Sequence, residues 1–199
     1  IQNDNGDLYI NQRADDKDII FQSDDQFGGI TTYFRVDGST GYVKFEDNRR
    51  IAVGSSDDFM IYHDGTDTKL SNVTGSLQFH QNVNDSDIVF FCDDGSGGTT
   101  AYLTLDGSQG FTTAQKHIRF EDDVNAQFGT GGDMGIYHNG SNGFIKNDIG
   151  DLTIQNTAND KDIIFQSDDG SGGTTPYMTI DGGSVKTKFD KDLLLKDSV

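Results

Sequence analysis

"DKDIIFQSDD" at residues 16–25 is written again, letter for letter, at 160–169, and a variant, "DSDIVFFCDD", stands at 85–94. A catalytic constellation is normally built once, whereas a structural module can be stacked. The same landmarks surround each copy in the same order. "GDLYI" (6–10), "GSLQF" (75–79) and "GDLTI" (150–154) come before it. A Gly/Thr turn follows, as "QFGGITTY" (26–33), "GSGGTTAY" (95–102) and "GSGGTTPY" (170–177). A short stretch then ends in Asp-Gly: "FRVDG" (34–38), "LTLDG" (103–107) and "MTIDG" (178–182).

Gly75 follows Gly6 by 69 residues and Gly150 follows Gly75 by 75. Two copies run on to a further landmark, "MIYHDGTDTKLSN" (60–72) and "GIYHNGSNGFIKN" (135–147). The extra length of the second interval falls before that landmark, near "TTAQKHIRFEDDVNAQFGTG" (112–131). "IQNDNG" (1–6) also matches "IKNDIG" (145–150). The expected organisation is the end of a preceding repeat over 1–5, repeat 1 over 6–74, repeat 2 over 75–149 and a partial repeat 3 over 150–199, all belonging to a longer series.

Composition narrows the class. Only 33% of the 199 residues are apolar, with 25 Gly and no Trp, which is little material for the core of one chain. Yet the apolar residues are patterned and rich in aromatics, with 14 Phe and 7 Tyr, and this favours strands over disorder. "DLYI", "DIIFQ", "TYFRV", "YVKF", "RIAV" and "FMIYH" read as short strands bounded by Gly, Asp or Asn. The pairs Asp64–Gly65 and Asn139–Gly140 suit hairpin turns with positive φ. The Gly-free stretch 111–128 is the candidate for a helix, and its Thr, Phe and Asn content makes a poor one.

The triplets Ile19–Ile20–Phe21, Ile88–Val89–Phe90 and Ile163–Ile164–Phe165 break strict alternation. Such strands want cover on both faces, so they are the expected core, with another chain as one source of that cover. Gly38, Gly107 and Gly182 are the expected turn residues, on the argument that their backbone angles exclude a Cβ. The fold class is therefore all-β: a fibrous repeat of short strands and tight turns, read as an intertwined homotrimer (a triple β-helix or β-prism shaft). The alternative is a single-chain β-solenoid.

The formal charge is −18, from 33 Asp+Glu against 15 Lys+Arg. A field of that sign repels phosphate and anionic lipid, so neither nucleic acid nor membrane insertion is expected. No apolar run approaches the length of a membrane span. The single cysteine, Cys92, stands where the other copies carry Ser23 and Ser167, so the position does not require a thiol.

The longer pattern "GDLTIQNTANDKDIIFQSDDGSGGTTPYMTIDG" with "FGTGGDMGIYHNGSNGFIKN" resembles the repeat of tail fibres and related virion proteins of bacteriophages, those of marine cyanobacteria above all. The resemblance covers essentially the whole chain. It implies a homotrimeric β-rich shaft in an extracellular virion appendage. The implied partners are the chain itself, other virion or tail proteins, and a host-surface glycan or protein. No tip domain or self-cleaving chaperone of such fibres is recognisable in these residues.

Sharper chemistry competes with this structural reading. Asp24–Asp25, Asp93–Asp94 and Asp168–Asp169 each precede a Gly-containing turn, and oxygen-rich turns can hold Ca²⁺. "DDGSGG" fits neither an EF-hand nor a calcium β-roll, so a charged turn is the expectation, and Ca²⁺ is the one cofactor the pattern admits. His63 and His138 occupy equivalent places and could gather around a threefold axis as metal ligands, although a strand-end imidazole is the simpler reading. His80 and His117 have no equivalents. Catalysis is not expected, because no nucleophile elbow, phosphate loop or HExxH motif is present. A glycan depolymerase would need one paired-carboxylate site, while the acidic motif here occurs three times. A secreted, Ca²⁺-binding adhesin built of similar repeats is the other alternative.

Overall fold

A computed structural model describes residues 6–194 of the chain. It is all-β: fifteen strands and, among the described residues, no helix. The segment 111–128 holds two short strands instead of a helix. The strands form five three-stranded antiparallel sheets of consecutive strands.

One kind of sheet is built on the acidic-apolar motif. It comprises β1 (Ile19–Asp24), β2 (Ile30–Asp37) and β3 (Tyr42–Lys44), and recurs as β7 (Ile88–Asp93), β8 (Thr99–Asp106) and β9 (Phe111–Ala114). It recurs again as β13 (Ile163–Asp168), β14 (Thr174–Asp181) and β15 (Lys186–Phe189). The other kind is built on the "IYH" landmark. It comprises β4 (Ile51–Val53), β5 (Phe59–His63) and β6 (Thr68–Asn72), and recurs as β10 (Ala126–Phe128), β11 (Met134–His138) and β12 (Gly143–Asn147). β9, one residue longer than β3, and its longer link to β10, against that between β3 and β4, together take up the difference between the two repeat intervals. By packing, the chain divides into two compact units, Ile1–Val89 with Leu105–Thr112 and Phe90–Thr104 with Thr113–Val199.

In the first unit β1 pairs with β2 in register Phe21 opposite Phe34, and then slips so that Gln22 faces Thr32. In the second, β13 and β14 repeat the slip: Phe165 faces Met178 and Gln166 faces Pro176. The extra residue is Tyr33 or Tyr177. A bulge re-aims its side chain, and each tyrosine hydroxyl donates to the carbonyl of Asp24 or Asp168 at 3.0 Å. Tyr102 donates to the Asp93 carbonyl in the same way at 3.1 Å. Pro176 stands opposite Gln166 directly beside the bulge, a place where a strand accommodates proline. Rings stack across the first sheet, with Phe21–Phe34 centroids 4.4 Å apart and Phe34–Phe45 5.5 Å.

The hairpins β5–β6 and β11–β12 turn at Asp64–Gly65 and Asn139–Gly140, where the glycines take φ of +99° and +85°. The loops are longer than a two-residue turn. Asp64 N–H donates to the Asp67 carbonyl at 3.0 Å, and Asn139 N–H to the Asn142 carbonyl at 3.0 Å. The Asp64 carboxylate and Asn139 amide oxygens hold the loops from inside, accepting from Thr66 and Asp67, and from Ser141 and Asn142.

Three expectations need correction. First, "DLYI" and its counterparts are not strands in the chain: residues 7–10, 76–79 and 151–154 have no ladder partner. Second, the triplets are not buried by the chain itself. Ile19, Ile88, Val89 and Ile163 are half-buried, while Ile20, Phe21, Phe90, Ile164 and Phe165 are exposed by 37–53%. A lone three-stranded sheet covers at most one of its faces, which is the physical reason. Third, the conformational argument for Gly38, Gly107 and Gly182 fails, since none has a positive φ.

Among the described residues no hydrophobic side chain is buried. The most enclosed side chains are polar: Asp37, Thr104 and Thr179.

Candidate functional site

The acidic motif recurs three times, so its carboxylates define the site to be tested. Its first aspartate, Asp16, Asp85 or Asp160, takes a left-handed backbone conformation (φ 56°, 58° and 56°) at the turn leading into the strand. The next, Asp18, Asp87 or Asp162, reaches across to the Asp-Gly turn. Its Oδ1 accepts from the N–H of Gly38, Gly107 or Gly182 at 3.0, 2.9 and 3.0 Å. The turn there lies against the motif's own backbone. A Cβ on Gly38, Gly107 or Gly182 would stand 2.3, 2.4 or 2.3 Å from the carbonyl oxygen of Lys17, Ser86 or Lys161. Close approach, not φ, demands glycine.

The aspartate pair closes the following turn. Asp24, Asp93 and Asp168 accept from the N–H of Gln26, Gly95 and Gly170. Oδ1 of Asp25 accepts from the N–H of Phe27 and Gly29, both at 2.8 Å. Oδ1 of Asp94 takes Ser96 and Gly98, and that of Asp169 takes Ser171 and Gly173. The Gly29 and Phe27 amides hold the Asp25 carboxyl below the ordinary carboxylate value. The Ser96 hydroxyl and amide do the same for Asp94, and those of Ser171 for Asp169. Donors that favour the ionised form account for the direction.

A second acidic position sits at the end of the middle strand. Asp37 and Asp181 receive the ammonium of Lys44 and Lys188 and hold the turn that follows each, and both are depressed well below the usual range by that lysine first of all. Asp106 has no such lysine. Its pKa is lowered by the Gln109 amide and the Ser108 hydroxyl.

One repeated contact was invisible in the letters. Arg35 pairs with Glu46, Gln115 Nε2 donates to Thr104 Oγ1 at 2.6 Å, and Thr179 Oγ1 donates to Asp190 at 2.9 Å. In each case the partners are eleven residues apart. An ion pair, an amide–hydroxyl bond and a hydroxyl–carboxylate bond occupy one structural place. The matched spacing between unlike residues was the available signal.

His63 and His138 are also equivalent in surroundings. Nδ1 lies 3.0 Å from Asp47 Oδ1 in one and 2.8 Å from Asp122 Oδ1 in the other. The N–H groups of Gly65 and Gly140 reach the same nitrogens at 3.1 and 3.0 Å. A neutral ring accepts the glycine proton; a protonated ring donates to the carboxylate. The imidazole thus finishes a hairpin turn in both repeats.

The structure brings each aspartate pair to a turn and His63 and His138 each to a hairpin, but does not gather them. Among the described residues no three His, Cys, Asp or Glu side chains form a metal-binding group. A cation at Asp25, Asp94 or Asp169 would have to compete for an Oδ1 that already accepts two backbone protons. Cys92 is an exposed free thiol. No helix among the described residues is long and apolar enough to cross a membrane. No protein-family model matches this chain, and neither curated proteins nor solved structures show a significant match to it.

Proposed function

We propose that this chain is a structural repeat segment of a virion appendage, the shaft of a tail fibre in particular, and that it works by packing against copies of itself in a homotrimer. The observation that carries the reading is the absence of any buried hydrophobic side chain among the described residues of a chain so regularly folded. Sheets with this many half-exposed aromatic and branched residues are completed by partners, and the acidic residues are spent on turns. Carboxylates whose oxygens accept two backbone protons are poorly placed to serve as general acids or nucleophiles. The segment therefore spaces or supports host-adsorption modules and carries no chemistry or cofactor of its own.

The test is an antiserum raised against the purified chain. Labelling of appendages on phage particles, by electron microscopy, is the expected result. Labelling confined to the outer surface of bacterial cells would overturn it in favour of a secreted adhesin. Release of reducing ends from host polysaccharide by the purified chain would overturn the non-catalytic part.

A further inference from the structure

Each repeat opens with a segment that has strand chemistry and no strand partner. In "GDLYI", "GSLQF" and "GDLTI" the apolar residues alternate: Leu8 and Ile10, Leu77 and Phe79, Leu152 and Ile154. That is the period-two pattern of a half-buried strand. All six side chains are exposed, by 45–61%. The backbone is equally unengaged. Among the described residues, the ladder and turn hydrogen bonds include none from residues 7–11, 76–80 or 151–155. An extended segment with unpaired peptide groups and an apolar row is a template for pairing with another chain.

We propose that these three openings are the seam along which one copy of the chain pairs with a second copy. This rests on the self-association reading above and says where that association is made. The occupant is identified by spacing. A partner must offer complementary strands at intervals of 69 and then 75 residues, with the longer link in the same place. A second copy in parallel register meets that requirement by construction: each opening faces its own counterpart, and leucine meets leucine three times. The uncovered surface argues the same way. Beyond the openings, no hydrophobic side chain among the described residues is buried, so the sheets too have apolar surface to cover with a copy. Pairing along the openings would supply backbone partners and bury both apolar rows together.

Residue-resolved amide hydrogen exchange on the purified 199-residue chain, with its mass measured by light scattering in the same buffer, tests the seam. In a multi-chain species at least alternate amides of 7–11, 76–80 and 151–155 should exchange about a hundredfold or more slower than an unstructured chain. Ladder amides such as Ile61 and Ile136 are the internal reference. A multi-chain mass with ladder amides protected and openings at the unstructured rate would overturn the seam, while the self-association reading stands. A monomeric mass would overturn both, whatever the exchange at the openings. The purified protein contains no other partner, so protection in a multi-chain species is protection by a copy.

Discussion

Replacing Gly107 by alanine puts a methyl group 2.4 Å from the carbonyl oxygen of Ser86 and 3.2 Å from its carbon. A backbone carbonyl cannot rotate away as a flexible side chain does. Relief requires the segment around Ser86 to move off the Asp-Gly turn, which stretches the 2.9 Å bond from Gly107 N–H to Asp87. Overpacking of this kind costs about 1–3 kcal/mol, and weakening the bond adds about 1 kcal/mol. The expected loss is about 3 kcal/mol on those figures. Gly110 supplies the control: it has φ of +71°, and a methyl group placed there would find nothing within 4 Å. Alanine at that position meets only left-handed strain, about 1 kcal/mol. For a chain of about 200 residues each kcal/mol moves Tm by roughly 2–4 °C. Gly107→Ala should therefore lower Tm by about 6–12 °C and Gly110→Ala by about 2–4 °C. Both are read by circular dichroism at one protein concentration, because association shifts Tm as well. Gly38→Ala and Gly182→Ala should behave like Gly107→Ala, since their contacts are 2.3 Å each. A Gly107→Ala protein no less stable than Gly110→Ala would refute the close-approach argument.

Other outcomes follow from the same contacts. Asp87→Ala removes the acceptor for Gly107 N–H and should cost about 1–2 kcal/mol in urea unfolding, with Asp87→Asn recovering most of it. In a double-mutant cycle on Thr104 and Gln115, the two sites should couple by about 0.5–1 kcal/mol, and additive effects would remove that contact from the account. Asp25, Asp37, Asp64, Asp94, Asp106, Asp169 and Asp181 all have folded-state values below the ordinary 3.8. Their contribution is fully present above that value and is lost as pH falls through the lower folded values, so Tm should drop below about pH 4. A Tm that rises on acidification below about pH 4 would contradict the assignment. Adding EDTA or excess Ca²⁺ should leave Tm unchanged, whereas stabilisation by Ca²⁺ would restore the aspartate turns as cation sites.

Much of the local structure was legible because it is written in residues with strong backbone preferences. The apolar triplet opens a strand in each repeat, and Asp64–Gly65 and Asn139–Gly140 turn hairpins, as composition and turn chemistry imply. The openings misled for an instructive reason. Leu8–Ile10 has the period of a strand, but a ladder needs a second backbone, and sequence pattern does not say which chain provides it. Ile20, Phe21 and their counterparts are exposed in the single chain for a similar reason: apolar character marks a demand for cover, not its source. For Gly38 the residue was identified and the cause was not, because a backbone approach from about twenty residues away leaves no local trace. The Arg35–Glu46, Thr104–Gln115 and Thr179–Asp190 contacts were hidden because the chemistry changes while the place does not. The aspartates were conspicuous from the start, and the structure assigns them to turns.

The central claim is that this chain completes its core with copies of itself, and its mass in solution tests that most directly. Light scattering on the purified chain at micromolar concentration should give three times 21.8 kDa, about 65 kDa, persisting on dilution as an obligate assembly does. A species of 21.8 kDa that keeps its β-sheet spectrum and melts cooperatively would contradict it, and the fold would then have to be one that a single chain sustains with its apolar rows in water.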